Sequence, residues 1–338
     1  MATLKDVARV TRVSAQTVSN VVNQRDVVHP ETRRRVLAAV DRLGYRPNLA
    51  ARGLRRRRAF ALGFLVVDPS PRYLADPFHS AVLTGLAEVA RDRGYGLVIQ
   101  GSPPGSPDDG SLPDLFRQAQ VDGAVVTLGG TAAERRRHLA AVRRAGRPFV
   151  LLEQPVGEGD DAASVLGRNR SGAAAAVRHL LDAGHSHLGF VIPSLAWPAV
   201  EERIRGFRGA LRPLGGRATG QVWPCGPETK DAARVATERL LRERPEITAM
   251  MAANDLLALG VLEGGRRAGR RCPADLAVVG FDDFDLAQWV DPPLTTVRLP
   301  GYDMGARACE LLIARLETGR FPERHVELAT ELVRRGSS

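Results

Sequence analysis

Ser14-Ala15-Gln16-Thr17-Val18-Ser19-Asn20-Val21-Val22-Asn23 carries two surfaces in ten residues. On a 3.6-residue period Val18, Val21 and Val22 fall on one side, Ala15, Gln16 and Asn20 on the other. Ser14 stands where an N-cap side chain would accept an amide hydrogen. Valines are poor helix formers, so so short a helix needs tertiary packing to hold it. Partners stand on either side. Upstream, Thr3 with Asp6 three positions later is an N-cap signature, and Leu4, Val7 and Ala8 share a helical face before polar Thr11-Arg12 interrupts. Downstream, Pro30 at a first helical position precedes Val36, Ala39, Val40 and Leu43 at i, i+3, i+4 and i+7. Two short helices joined by a tight turn and braced by a third make a helix-turn-helix.

Charge sets this segment apart. The 338-residue chain carries 48 Lys+Arg against 38 Asp+Glu, a formal +10. Residues 1–58 hold 14 basic and 4 acidic residues, also +10, so the other 280 residues are neutral overall. Lys5 and Lys230 are the only lysines, and arginine richness also follows from a GC-rich genome. The argument is therefore the segregation, which is the footprint of a DNA-binding head on a neutral body. The exposed chemistry fits a major groove: Gln16 can bond an adenine edge bidentately, Asn20 can read base edges, and Ala15 can lie against a thymine methyl. Thr17, Ser19 and Asn23 can bond phosphates. The competing reading is a solvated polar face, which the +10 surroundings disfavour.

Leu4-Lys5-Asp6-Val7-Ala8, Val13-Ser14 through Asn23, Thr32-Arg33 through Val36, Leu43-Gly44-Tyr45-Arg46-Pro47-Asn48 and Ala51-Arg52-Gly53-Leu54 together resemble the headpiece of the LacI/GalR family of bacterial transcription regulators. The resemblance implies base reading by Ala15, Gln16 and Asn20, and further DNA contacts from Leu4, Ser14, Thr17, Ser19, Asn23 and Thr32. It also implies a hinge helix after Pro47 that enters the minor groove of the operator, with contacts from Asn48, Ala51 and Arg52. Leu54 matches the leucine wedged between central base pairs; a solvated linker is the alternative. Arg55 to Arg58 extend the basic stripe. Two departures stand out: Thr11-Arg12 replaces the usual small Ala-Gly turn, and His29 replaces the usual Ser cap of the third helix.

Beyond residue 58 apolar strands alternate with amphipathic helices: Ala61 to Val67, a helix from about Ser80 to Arg93, then Leu97 to Ile99, Ala124 to Val126, Phe149 to Leu152, Gly189 to Ile192, Ala249 to Ala252 and Leu276 to Gly280. This beat predicts parallel α/β sheets with right-handed crossovers, whose ligands bind beyond the carboxyl ends of the strands. Asp76-Pro77-Phe78, Asn254-Asp255 and Gly280-Phe281-Asp282-Asp283 occupy such loops. No GxGxxG, P-loop, nucleophile elbow or HExxH follows these strands, so neither an enzyme nor a metal or cofactor site is expected. His185 and His187 read as core or capping residues, and Trp197, Trp223 and Trp289 as packing.

The body resembles the same family through Ala253-Asn254-Asp255, Ala258-Leu259-Gly260, Val278 to Asp283, Pro293 to Val297, Met304-Gly305 and Glu331 to Ser337. The resemblance implies a periplasmic-binding-protein-like body of two Rossmann-like subdomains. The expected organisation is a head over 1–46, a hinge over 47–58, and a body over 59–338. Within the body, one subdomain spans about 60–159 and 292–317, the other about 160–291 and 318–333, crossed by the chain three times. It places an effector in the cleft between them, against Arg203, Asn254 and Asp282, with Phe78, His79 and Glu153 beside it; an arginine, an asparagine and a carboxylate suit the hydroxyls of a sugar or sugar derivative, or the polar edge of a nucleobase. Departures at Arg168, where an Asp is common, and at Leu299, where a Gln is frequent, leave the particular sugar open.

Three cysteines without a CxxC pair (Cys225, Cys272, Cys309), the lack of an apolar leader and the lack of a membrane-length run point to the cytoplasm. The expected protein is a repressor that binds double-stranded operator DNA as a homodimer under a small-molecule effector; the lack of a leucine-heptad extension argues against a tetramer. A solute-binding protein is the alternative, opposed by the basic head; an α/β enzyme is the third and has no catalytic motif behind it.

Overall fold

The structure is a computed structural model that describes residues 2–22, 27–45, 58–68, 73–102, 121–157, 159–194 and 197–338. Two compact units divide at residue 60. The first is all α: α1 (Leu4–Thr11), α2 (Ala15–Val22) and α3 (Pro30–Leu43). Thr3 and Asp6 form a reciprocal capping box that starts α1. Arg12 ends it with φ 51°, a left-handed conformation that favours glycine. Ser14 Oγ accepts from Thr17 N–H at 3.0 Å and starts α2. Pro30 starts α3 behind His29, whose side chain makes no capping bond, and Gly44 ends it at φ 58°. Val7, Val18, Val21, Val36 and Ala39 form the core of this unit.

The second unit holds two six-stranded sheets. Chain order in the first is β1 (Ala61–Val67), α4 (Pro77–Asp92), β2 (Gly96–Ser102), β3 (Gly123–Leu128), α5 (Ala132–Arg144), β4 (Phe149–Leu152) and β5 (Ala162–Gly167). The second follows with α6 (Asn169–Asp182), β6 (His187–Ile192), α7 (Pro198–Leu211), β7 (Thr219–Pro224), α8 (Lys230–Glu243), β8 (Ala249–Ala252), α9 (Asp255–Arg267), β9 (Ala277–Asp282), the short α10 (Leu286–Trp289) and β10 (Thr295–Arg298). Then α11 (Gly301–Thr318) and β11 (His325–Leu328) return to the first sheet, and β12 (Glu331–Val333) ends in the second. The strand orders are β11-β5-β4-β3-β1-β2 and β12-β10-β9-β8-β6-β7. All neighbours run parallel except β10 and β12. The expected α/β class with an all-α head is what is observed.

The expected subdomain boundaries need correction. Residues 162–167 pair with β4 (Phe149↔Ala162) and belong to the first sheet. Residues 295–298 pair with β9 (Thr295↔Val279) and belong to the second. Residues 325–328 pair with β5 (His325↔Ser164) and return to the first. The chain therefore changes sheet near 168, 299–300 and 329–330. Membership is decided by the partner a strand pairs with, which no local sequence feature records. Five strands were overlooked in the sequence: β5 is Ala/Ser/Gly-rich, β7 is a half-buried edge, and β10, β11 and β12 are only three or four residues long.

Both sheets are covered by helix pairs that meet at glycines. On α4 a Cβ at Gly85 would lie 2.1 Å from the Tyr302 carbonyl oxygen, and on α11 one at Gly305 would lie 2.0 Å from that of Val82. The two backbones therefore touch at a reciprocal crossing. That contact fixes α4, whose first turn carries Phe78 and His79.

Candidate functional site

On the head, the valine side of α2 is consumed by the core. Ala15 and Gln16 are exposed; Thr17, Ser19 and Asn20 are half-buried. Gln16 Nε2 donates to Asn20 Oδ1 at 3.0 Å, one turn on, so these two amides are held side by side. The hydroxyls of Ser14 and Thr17 lie 2.8 Å apart, and Thr32 is half-buried in the first turn of α3. Leu4, also expected among the DNA contacts, is half-buried against the core at the start of α1. Asn23, Asn48, Ala51, Arg52 and Leu54 lie outside the described residues.

In the body, the strand order dictates where a ligand can enter. β1 lies between β2 and β3, and β6 between β7 and β8, so the chain leaves each central strand in opposite directions on its two sides. Crevices open at such switch points, beyond the carboxyl ends of the strands. Residues from the carboxyl ends of both sheets, among them Thr127 of β3, Glu153 after β4, Glu228 after β7 and Ala253 and Asn254 after β8, converge on one cavity. All six residues expected at an effector site, Phe78, His79, Glu153, Arg203, Asn254 and Asp282, line it.

Arg203 is the centre. It is 4% exposed, and Asp282 is 8% exposed. Its Nη2 donates to Asp282 Oδ1 at 2.8 Å, its Nε to Asn169 Oδ1 at 2.8 Å, and its Nη1 to the Ala253 carbonyl. The guanidinium also lies 3.7 Å from the centroid of the Phe281 ring. Asn169 passes the network on to Glu153 Oε2, across the cleft, and to Gly167 O at 3.1 Å. Glu153 Oε1 accepts from Gly167 N–H at 2.6 Å. Arg203 thus forms the ion pair that a bland reading would give it and lines the cavity as well. Asn254 Oδ1 caps α9 through Leu257 N–H at 2.9 Å, while Asn254 Nδ2 donates to Glu228 Oε1 at 2.5 Å.

Two of these residues are held in sparsely populated backbone conformations, Glu153 at φ 58° and Asp282 at φ 100°. Such strain persists where surrounding contacts over-determine it, and it concentrates at ligand sites. Asp255 is part of that frame: fully buried, it accepts from Thr296 Oγ1 at 2.5 Å and from Phe284 N–H at 2.8 Å, fixing the loop that presents Asp282.

Two cavity residues, Trp197 and Glu228, escaped the sequence reading. Trp197, expected to pack, projects into the cleft edge-on to His79 with ring centroids 5.7 Å apart, and its Nε1 donates to Glu228 Oε2 at 3.3 Å. Glu228 follows β7, a strand that was not foreseen. Asp76 caps α4 through Phe78 N–H at 2.8 Å. Asn169 was noted only for its neighbour Arg168. By contrast, His185 bonds Thr248 Oγ1 at 2.9 Å away from the cleft, and Trp289 is 77% exposed. Among the described residues no cluster of three metal-ligating side chains occurs, and no helix is long and apolar enough to cross a membrane.

The carboxyls of this cleft are perturbed. Burial pushes Glu228 up to about 7, aided by the charges of Asp76, Asp282 and Asp68. Burial also pushes Glu153 to about 7, against the Gly167 N–H and the Arg203 charge. Burial raises Asp282 to about 6 while Arg203 pulls it back. For Glu228 the folded chain keeps a proton up to about 7 that the unfolded chain loses near the ordinary 4.5. Its contribution is therefore complete below 4.5 and is lost as pH rises toward 7. Glu228→Gln should flatten the fall in stability between pH 5 and 7, by up to about 1.4 kcal/mol per pH unit. Urea denaturation of both proteins at pH 5, 6 and 7 checks this; equal slopes refute it.

Comparison with known proteins gives the following. Residues 3–48 match the model of bacterial regulatory proteins of the lacI family, and residues 177–338 that of a periplasmic binding protein-like domain. Catabolite control protein A of Priestia megaterium is 33% identical over 311 residues, covering 92% of this chain and 91% of the relative. Among solved structures, a complex of the transcriptional regulator CelR with cellobiose matches with a TM-score of 0.74 and 30% identity over 100% of both chains. The lac repressor dimer bound to operator and the anti-inducer ONPF matches with a TM-score of 0.81 and 25% identity, covering 99% of this chain and 98% of the other.

Proposed function

The chain belongs to the lacI family of bacterial regulatory proteins, and from that premise we propose that it is a sequence-specific transcriptional repressor with a carbohydrate effector. The observation that carries this reading is the division of α2: its valines are spent on the core while Ala15, Gln16 and Asn20 are left outward on a unit of charge +10. A homodimer would set one α2 into each half of a pseudo-palindromic operator, with residues 47–58 as the hinge.

The cleft supplies the control. An arginine, an asparagine and carboxylates converging on one cavity suit sugar hydroxyls, and the similarity to a cellobiose-bound regulator supports that class. The cavity is about 60 Å³, room for only a few waters. A sugar ring enters once the two sheets part, so effector and closed cleft are linked through one equilibrium. An effector that favours one opening angle shifts the population in which the hinges pair on DNA.

The test is selection of duplexes from a random pool by the full chain, then fluorescence anisotropy on the enriched site at two salt concentrations. Gln16→Ala should weaken binding to that site by about 1–3 kcal/mol while the slope against log salt stays the same, because phosphate contacts are retained. No enrichment over random DNA, or a Gln16→Ala protein that binds like the parent, would defeat the base-reading role and favour solute binding.

A further inference from the structure

Outside the cleft, and opening from it at Glu153 and Ala199, lies a concavity of about 1010 Å³. Its walls come from both sheets' subdomains: α5 and the loop after β4 on one side, α6 and α7 on the other. Seven arginines line it against four glutamates. Three of those glutamates are already matched: Glu201 to Arg135 at 2.9 Å, Glu327 to Arg168 at 3.6 Å, and Glu202 to Arg205. Glu153 is turned to Gly167 and Asn169. Arg136, Arg170, Arg178 and Arg212 are exposed and have no carboxylate partner among the described residues.

Their placement follows from the helices. Arg170, Ala174 and Arg178 are spaced i, i+4, i+8 along α6; Arg205 and Gly209, with Arg212 just beyond the end of α7, are spaced i, i+4, i+7. The two helices touch at Gly206, where a Cβ would fall 2.2 Å from the Arg170 carbonyl oxygen. That contact brings the two basic stripes together. The first turn of α6 opens into the same space, and its Arg168 makes no side-chain cap. A concave wall with an excess of one charge sign focuses its field on the space it encloses. The cleft inside is of the opposite character: Asp76, Glu153, Glu228 and Asp282 face a single cation, Arg203.

We propose that this arginine-lined vestibule holds the anionic arm of the effector, which is therefore a phosphorylated sugar whose neutral ring enters the cleft and whose phosphate stays outside it. This rests on the cleft being the effector site. The orientation is fixed by charge: inside, the one cation, Arg203, is already paired with Asp282, whereas the unmatched arginines outside attract a phosphate in charge-assisted, bidentate geometry. Because α5 lies across from α6 and α7, a phosphate held there bridges the subdomains and acts on the closure angle.

Calorimetry on the full chain tests the proposal with matched pairs: glucose and glucose 6-phosphate, ribose and ribose 5-phosphate, cellobiose and its 6′-phosphate, with inorganic phosphate alone. At least one phosphorylated member should bind about tenfold or more tightly than its neutral parent. The ratio should shrink as salt rises, and it should approach one in the Arg170→Glu, Arg212→Glu double variant. The neutral parent measured on that variant shows whether the cleft has survived. Neutral sugars that bind as well as their phosphates overturn the vestibule and leave the cleft reading standing. Inorganic phosphate that binds and is lost in the variant, with no sugar gaining from its phosphate, also overturns it, since the anion site is then separate. Binding of no compound overturns it and counts against the cleft as well.

Discussion

Arg203→Ala is expected to destabilise the body by about 3–5 kcal/mol and to abolish the response of DNA binding to effector. The magnitude comes from what is left behind. Asp282 would remain 8% exposed with its cation gone, and Asn169 and the Ala253 carbonyl would each lose a donor. Breaking a buried pair from one side costs more than the pair contributes, because the orphaned charge stays buried. Arg203→Lys separates charge from shape: one ammonium cannot donate in the three directions that the guanidinium fork covers, so much of the loss should persist. Guanidinium denaturation reads the stability, and anisotropy on operator with effector reads the response. An Arg203→Ala protein within about 1 kcal/mol of the parent would show that the network contributes little, and a retained effector response would remove Arg203 from the site.

The second large effect reverses a general rule. Replacing a helical glycine by alanine ordinarily stabilises by about 1 kcal/mol. At Gly305 the added methyl would sit 2.0 Å from the Val82 carbonyl oxygen, and at Gly85 its counterpart would sit 2.1 Å from that of Tyr302. Neither obstacle is a side chain that can rotate away. Relief requires α4 and α11 to separate, opening the interface behind buried Val82, Leu86, Met304 and Ala308. Gly305→Ala should therefore destabilise by about 2–4 kcal/mol, in the range of core overpacking and beyond. It should also weaken effector binding, since α4 carries Phe78 and His79. Gly209→Ala is the control: nothing lies within 4 Å of its Cβ, so it should be neutral or stabilising. Thermal denaturation of the three proteins decides it; a Gly305→Ala midpoint at or above that of the parent would mean that the crossing is looser than described.

Much of the head was legible because its determinants are local. Thr3 and Asp6 cap within one turn, Ser14 caps α2, and the valines of α2 repeat at the helical period, so the core of that unit could be read residue by residue. In the body the apolar runs at Ala61–Val67, Phe149–Leu152 and Ala249–Ala252 are buried in parallel sheets and announce themselves as strands. Arg203, Asn254 and Asp282 were found through their motifs. Glu228 was not, because it follows β7, a half-buried edge strand of mixed composition that leaves no periodic signal; Trp197 was noted and read as packing.

The sequence by itself determined the three helices of the head and seven strands of the body, that a basic head precedes a neutral body, and which face of α2 is turned to solvent. These follow from periodicity, capping and charge, all properties of neighbouring residues. Only the tertiary structure decided the sheet to which β5, β10 and β11 belong, and hence where the chain crosses. Only it brought Glu153, Asn169, Arg203 and Asp282 into one hydrogen-bonded network, and four unmatched arginines into one concavity. Those outcomes depend on strand pairing and on backbone contacts at Gly85, Gly206 and Gly305 between residues far apart in the chain, where the energy lies in the encounter and neither partner carries a mark of it.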